Sequence, residues 1–146
     1  MGLLVETSAG VIGAAGAELE VLGLSGSVFE VLLRLARSPG QRLRMSDLAA
    51  QSTLTNSGLT RLVDRLEASG HVVREPCETD RRGSYACLTA LGSDALEAVL
   101  PAHIETVDRV FTSILDPEEL AALLLILRKL RAVVRPGSDP GHLATD

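Results

Sequence analysis

Residues 46–92 read SDLAAQSTLTNSGLTRLVDRLEASGHVVREPCETDRRGSYACLTALG, and the apolar spacing in this stretch decides the fold. Leu59, Leu62, Val63 and Leu66 recur at i, i+3, i+4 and i+7, which is one face of a helix. Thr55 precedes that helix as an N-cap, since its hydroxyl can accept an amide that the first turn leaves unsatisfied. Leu54 and Leu59 flank the cap at the spacing of a hydrophobic staple, and Gly70 ends the helix. Upstream, Ser46 is expected to cap a short helix, SDLAAQS, with a break at Thr53-Leu54. Downstream, two extended runs, about His71 to Cys77 and Ser84 to Leu88, enclose the polar segment ETDRRG. This is the pattern of a β-hairpin with a mobile tip.

Toward the N-terminus, the apolar, Ala/Gly-rich residues 3–22 predict a helix weakened by Gly10, Gly13 and Gly16. Small residues at that spacing also permit close helix approach, so the segment is a candidate interface helix. Gly23 ends it, and Ser25 caps a second helix whose apolar residues run almost all round, from Val28 to Ala36. Pro39-Gly40 stops that helix, and residues 41–45 (QRLRM) follow as a short extended piece. Toward the C-terminus, Thr89 caps a long helix expected to reach about Leu115, with a kink or local break at Pro101. Asp116-Pro117-Glu118-Glu119 combines a cap, a proline at the first helical position and a glutamate at the third. The last helix then runs to about Val134, and residues 136–146 read as a disordered tail.

The order helix, short helix, tight turn, second helix, β-hairpin is that of a winged helix-turn-helix. The expected class is mostly α with a small β-wing. Pinning the 59/62/63/66 stripe to the core leaves Thr55, Asn56, Ser57, Thr60, Arg61, Asp64 and Arg65 on the other face. Short hydrogen-bonding side chains with arginine are the chemistry that reads base edges in a major groove. Free amides and the dipole at the helix N-terminus favour phosphate. Arg81 and Arg82 in the hairpin tip can reach a neighbouring minor groove, with Asp80 holding the loop or orienting an arginine. Arg44, Ser46 and Ser27 are further candidates, for contacts to the DNA backbone. The competing reading of Arg61 and Arg65 is a solvated face carrying Arg61–Asp64 or Arg65–Glu67 contacts. The competing reading of Arg81 and Arg82 is a hydrophilic turn. Gly58 fits either a close approach to DNA or simple tolerance.

Composition narrows the field. The chain has 146 residues, 46% hydrophobic and 23% charged, enough for one cored domain. No apolar run reaches the roughly 18 residues of a membrane span, and no basic-then-apolar leader is visible. Aromatic residues are 2%, which argues against stacking platforms for single strands. The net charge of −5 argues against indiscriminate nucleic-acid binding. Residues 41–90, however, carry seven Arg against six acidic residues, so any electrostatic footprint lies there. Thirteen of the fourteen basic residues are Arg, whose planar fork suits phosphate and guanine.

The stretch resembles the DNA-binding domain of the multiple-antibiotic-resistance-regulator (MarR) family. The resemblance is carried by Ser46-Asp47-Leu48-Ala49, Thr60-Arg61-Leu62-Val63, Asp64-Arg65-Leu66-Glu67, Gly70, Arg74, Asp80-Arg81-Arg82 and Leu88-Thr89. It implies a single domain over residues 1–146, with a winged helix-turn-helix at about 25–90 and dimerisation helices at about 2–22 and 90–134. It further implies a homodimer on a pseudo-palindromic double-stranded operator, usually as a repressor, with Arg82 as the minor-groove residue. Many such proteins release DNA when a small-molecule effector enters the cleft between the dimerisation helices and the winged domain. Others sense oxidants through cysteine, but in the peroxide-sensing branch that cysteine lies near the first helix, where this chain has none. Independently of the resemblance, the wide apolar stripe of the last helix is more than one copy can cover, and this also predicts a dimer.

Cys77 and Cys87 lie on opposite arms of the hairpin. They read either as two small semi-buried residues in a reducing cytoplasm or as a redox-switched pair that stiffens the wing. The second option leads to the alternative function, a ligand- or redox-responsive sensor with little DNA binding. His71, His103 and His142 are scattered, so no metal site is expected. No phosphate loop and no nucleophile–base pair is visible, so neither an enzyme nor a cofactor is expected. The expected partners are therefore DNA, a second copy and an unidentified effector, with no membrane.

Overall fold

The computed structural model describes residues 1–77 and 80–136, with backbone alone for residues 80–82. Among the described residues, six α-helices and three short strands follow the expected order. They are α1 (Gly2–Val21), α2 (Gly26–Ala36), β1 (Arg42–Arg44), α3 (Met45–Gln51), α4 (Asn56–Ala68), β2 (Val72–Cys77), β3 (Asp80–Leu88), α5 (Ala90–Val110) and α6 (Pro117–Val134). The fold is mostly α with one small antiparallel sheet of order β1-β3-β2.

One apolar cluster binds these elements together. Val31, Leu32 and Leu35 of α2 meet Leu48 of α3 and the α4 stripe of Leu59, Leu62, Val63 and Leu66, all at most 4% exposed. Leu43, Val72, Ala86 and Leu88 close the cluster from the sheet, while Leu19, Leu96 and Val99 join it from α1 and α5. The stripe read from the sequence is therefore the inner face of α4. Ser25, Thr55 and Thr89 all act as N-caps, accepting from Val28, Gly58 and Gly92 amides. Asp116 and Glu119 complete a capping box on α6, and Gly23 and Gly70 take positive φ after α1 and α4. Where α5 starts, it lies so close to the hairpin that a Cβ on Gly92 would come 2.2 Å from the His71 carbonyl oxygen.

Several boundaries differ from expectation. The cap position of α3 is Arg44, with no side-chain cap, and Ser46 is the second helical residue. Its hydroxyl lies 3.4 Å from Asp47 Oδ1. Strand β1 occupies only Arg42–Arg44, because Pro39–Gln41 forms a 3-10 turn. β3 begins at Asp80, before the expected Ser84, since pairing with β2 continues to Cys77↔Asp80 past an irregularity at Pro76/Cys77. A bulge there is natural, as proline has no amide for the ladder. Of the segment expected to form a mobile tip, residues 80–83 have strand backbone, while Glu78 and Thr79 lie outside the described residues, as does the tail beyond residue 136. α5 runs through Pro101 without interruption but stops at Val110. There Ser113 Oγ donates to the Asp108 carbonyl at 2.8 Å, a side-chain bond that competes with helix continuation. Among the described residues no helix is long and apolar enough to cross a membrane.

Candidate nucleic-acid interface

Helix α4 is fixed from within and free outside. Thr55 Oγ1 accepts the Gly58 amide at 3.2 Å and lies 3.4 Å from Ser57 Oγ. A Cβ on residue 58 would sit 3.1 Å from that oxygen, so Gly58 makes room for the cap. Asn56, Ser57, Thr60, Arg61 and Arg65 are all exposed. Thr60 returns its hydroxyl proton to the Asn56 carbonyl at 2.9 Å, leaving its oxygen lone pairs outward.

The two arginines of this face form no ion pair among the described residues. The acids that could have neutralised them are engaged elsewhere. Arg74 of β2 reaches Asp64 Oδ1 at 2.7 Å and Glu67 Oε2 at 2.7 Å, and its amide donates to Glu67 Oε1 at 3.1 Å. The Arg61–Asp64 and Arg65–Glu67 contacts of the competing reading are thus absent among the described residues. Burial alone would lower the Arg74 pKa, but its hydrogen bonds to Asp64 and Glu67 outweigh this and raise it. The same clamp ties the wing to the helix that it flanks. Sequence reasoning matched Arg74 without giving it a role, because its partners lie on another element.

Two shallow grooves run beside α4. One brings Ser27 next to Arg61 and Arg65, and the other brings Ser46 next to Asn56 and Thr60. Both serines therefore join the α4 face. Arg44 does not: it lies on the outer face of the sheet, where its Nε donates to the Tyr85 hydroxyl at 3.2 Å. Arg42 lies over the same ring at 4.9 Å and pairs with Glu75 at 3.5 Å. Arg42 and Tyr85 were missed from the sequence, although alternate residues of paired strands share a face. Asp80, Arg81 and Arg82 have strand backbone in β3.

The cysteine pair does not form as envisaged. Cys87 is opposite Val73, whereas Cys77 is opposite Asp80. The two are thus displaced by four residues along β2, on the order of 13 Å, beyond disulfide reach of about 7 Å. Both are reduced and buried. Burial, with the neighbouring Glu75 carboxylate, pushes the Cys87 thiol up to about 11, so it stays protonated at neutral pH and is a poor nucleophile. The histidines stay apart as well. His71 Nδ1 is 2.8 Å from Ser69 Oγ, and the His103 ring lies 4.3 Å from that of Phe29. His142 lies outside the described residues. No group of three potential metal ligands occurs among the described residues.

A cleft of about 710 Å³ opens between α2 and α5. Phe29, Leu33, Leu96, Leu100 and Ile104 form its apolar wall, with Arg37 and His103 among its polar groups. His103 Nδ1 is buried with no hydrogen-bond partner among the described residues.

Comparison with known proteins decides the family. A MarR family model matches residues 22–83. AbsC, a MarR family transcriptional regulator from Streptomyces coelicolor, superposes with a TM-score of 0.84 at 34% identity, over 92% of this chain and 90% of that one. The chain belongs to the MarR family of transcriptional regulators. Sco3205, a second MarR regulator of S. coelicolor, was crystallised in complex with DNA. It superposes with a TM-score of 0.83 at 33% identity, over 91% of this chain and 84% of its own. The Bacillus subtilis transcriptional repressor YetL is 33% identical over 97 residues, 66% of this chain and 58% of its own.

Proposed function

We propose that this MarR-family chain binds double-stranded DNA sequence-specifically as a homodimer and represses transcription in the bacterial cytoplasm. The carrying observation is the outer face of α4, where Arg61 and Arg65 stand without ion pairs among the described residues because Arg74 holds Asp64 and Glu67. That face enters a major groove, where Thr55, Asn56, Ser57, Thr60, Arg61 and Arg65 meet base edges and phosphates. Ser27 and Ser46 contact the backbone on either side, and Arg44 does so at the base of the wing. Arg82, with Arg81, enters the adjacent minor groove, and Asp80 supports the wing.

The dimer is built from α1, α5 and α6. Support comes from α6, none of whose described side chains is buried. Leu124, Leu125, Ile126 and Leu130 are each about half exposed, an apolar load that a second copy would cover. In α1 a Cβ on Gly10, Gly13 or Gly16 would meet nothing within 4 Å, so these small residues are open to a partner helix. The two copies of α4 then lie about 34–36 Å apart, one helical turn of DNA. The cleft beside Phe29 and His103 takes a small, largely apolar effector that weakens DNA binding. The DNA complex of Sco3205 and the repressor description of YetL support the reading by likeness.

Fluorescence anisotropy on DNA from the chain's own upstream region, against scrambled DNA at two salt concentrations, tests it. The expected preference is about 10³-fold with a steep salt slope. Arg82→Ala is expected to cost about 1–3 kcal/mol. Equal weak binding to upstream DNA, scrambled DNA and every product of a genome-derived selection would overturn the reading.

A further inference from the structure

Helix α2 presents two adjacent faces to two different parts of the molecule. Phe29 and Leu33 line the cleft. Glu30, between them in sequence, turns to the segment that joins α3 to α4. Its Oε1 accepts the Thr53 amide at 3.1 Å and its Oε2 accepts the Thr53 hydroxyl at 2.8 Å. Arg34, one turn on, donates Nε and Nη2 to the same Oε1 at 3.2 and 2.8 Å, which orients the carboxylate. The Glu30 side chain is only 20% exposed, and its charge-assisted bonds to Arg34 are part-buried.

The same segment is held from the opposite direction. Arg135, just past α6, donates Nη2 to the carbonyls of Ala50 and Ser52 at 3.0 and 2.5 Å. These carbonyls end α3, where a helix leaves acceptors unsatisfied and a cation is favoured. Residues 50–53 are therefore gripped by one charged side chain from the cleft helix and one from the last helix. Thr53 is two residues before Thr55, the cap that sets the start of α4.

We infer that Glu30 and Arg135 are positioning residues for DNA recognition, and that Glu30 relays the state of the cleft to α4. A helix moves as a unit. A displacement of α2 under Phe29 and Leu33 either drags Thr53 with it or breaks the Glu30 bonds, and both outcomes re-aim α4. The coupling exists only to the extent that DNA and the cleft's occupant prefer different arrangements. The inference rests on the reading of α4 as the DNA-contacting helix and of the cleft as the effector site.

Charge alone predicts the opposite of positioning. Glu30→Gln removes an acidic group and, by electrostatics only, would tighten binding to any DNA. As a positioning change it is expected to weaken binding of the preferred duplex about tenfold while leaving scrambled DNA unchanged. Thr53→Val removes the hydroxyl half of the same contact and keeps the amide half, without altering charge, so it should give a smaller loss in the same direction that is not multiplied in the double variant. Arg135→Gln removes the cation that holds the Ala50 and Ser52 carbonyls through one nitrogen, Nη2, and is expected to act in the same direction. Melting curves on each variant separate misfolding from misalignment. Preferred-duplex binding by folded Glu30→Gln and Thr53→Val that equals or exceeds that of the parent would overturn the inference.

A cleft-filling Ala36→Leu change tests the relay without an effector. It should weaken preferred-duplex binding in the parent chain and add nothing to Glu30→Gln. Equal weakening in both backgrounds would overturn the relay and leave the cleft reading standing. No weakening in the parent, with the Glu30→Gln loss intact, would overturn the cleft reading and the relay while supporting the positioning contact.

Discussion

Helices α4 and α6 are both apolar on one side, yet they end in opposite situations. The α4 stripe of Leu59, Leu62, Val63 and Leu66 is at most 4% exposed, whereas Leu125, Ile126 and Leu130 of α6 are 50% exposed or more. The difference lies in what each helix has opposite it. α4 rests on α2, α3 and the sheet, and its apolar side is consumed within the chain. α6 has no such neighbour and turns its leucines outward. An inward stripe leaves a polar face to meet a ligand, while an outward stripe asks for a second protein surface. Under the proposed function, α4 is thereby the reading element and α6 the assembling one.

Substitutions on the two stripes should therefore fail differently. The largest effect on DNA binding is expected from Leu127→Glu on α6. It should leave the circular dichroism of the chain intact, shift the sedimenting species to monomer and lower affinity for the preferred duplex about 10²-fold or more, because two linked half-site contacts become independent. A dimer that survives this change would break the comparison. Leu62→Ala on α4 should act within the chain, costing about 2–5 kcal/mol through lost burial and a residual cavity. That cost should appear in denaturant unfolding and be the same at every protein concentration once the dissociation term is removed. The smallest effect is expected from Thr55→Ala, which removes the α4 cap and should cost about 1 kcal/mol. Hydrogen exchange should then locate faster opening in the first turn of α4 and leave α6 unchanged.

Local signals were the legible ones. The four-residue stripe, the caps at Ser25, Thr55, Thr89 and Asp116, and the terminators Gly23 and Gly70 all act within a few residues along the chain, so the order of elements could be read directly. Boundaries were less legible where tertiary pairing overrode local preference. Ser46 resembles a cap in sequence, but sheet pairing of β1 stops at Arg44 and the cap falls there, two residues earlier. Strand β3 begins earlier than the polarity of its first residues suggests, because pairing with β2 reaches Asp80. The cysteines look matched across the hairpin by number, yet the register separates them.

The sequence by itself determined which side of α4 faces inward, which residues are left on its outer side, and that α6 carries more apolar surface than one chain can cover. These follow from periodicity, which any helix obeys regardless of its surroundings. Only the tertiary structure decided that Asp64 and Glu67 belong to Arg74 rather than to Arg61 and Arg65, and that Glu30 and Arg135 hold the same turn. Arg135 and Ala50 are 85 residues apart, and no pattern along the chain encodes such a meeting. Which acid a given arginine neutralises is set by the few ångströms between side chains on different elements, and packing alone fixes that distance.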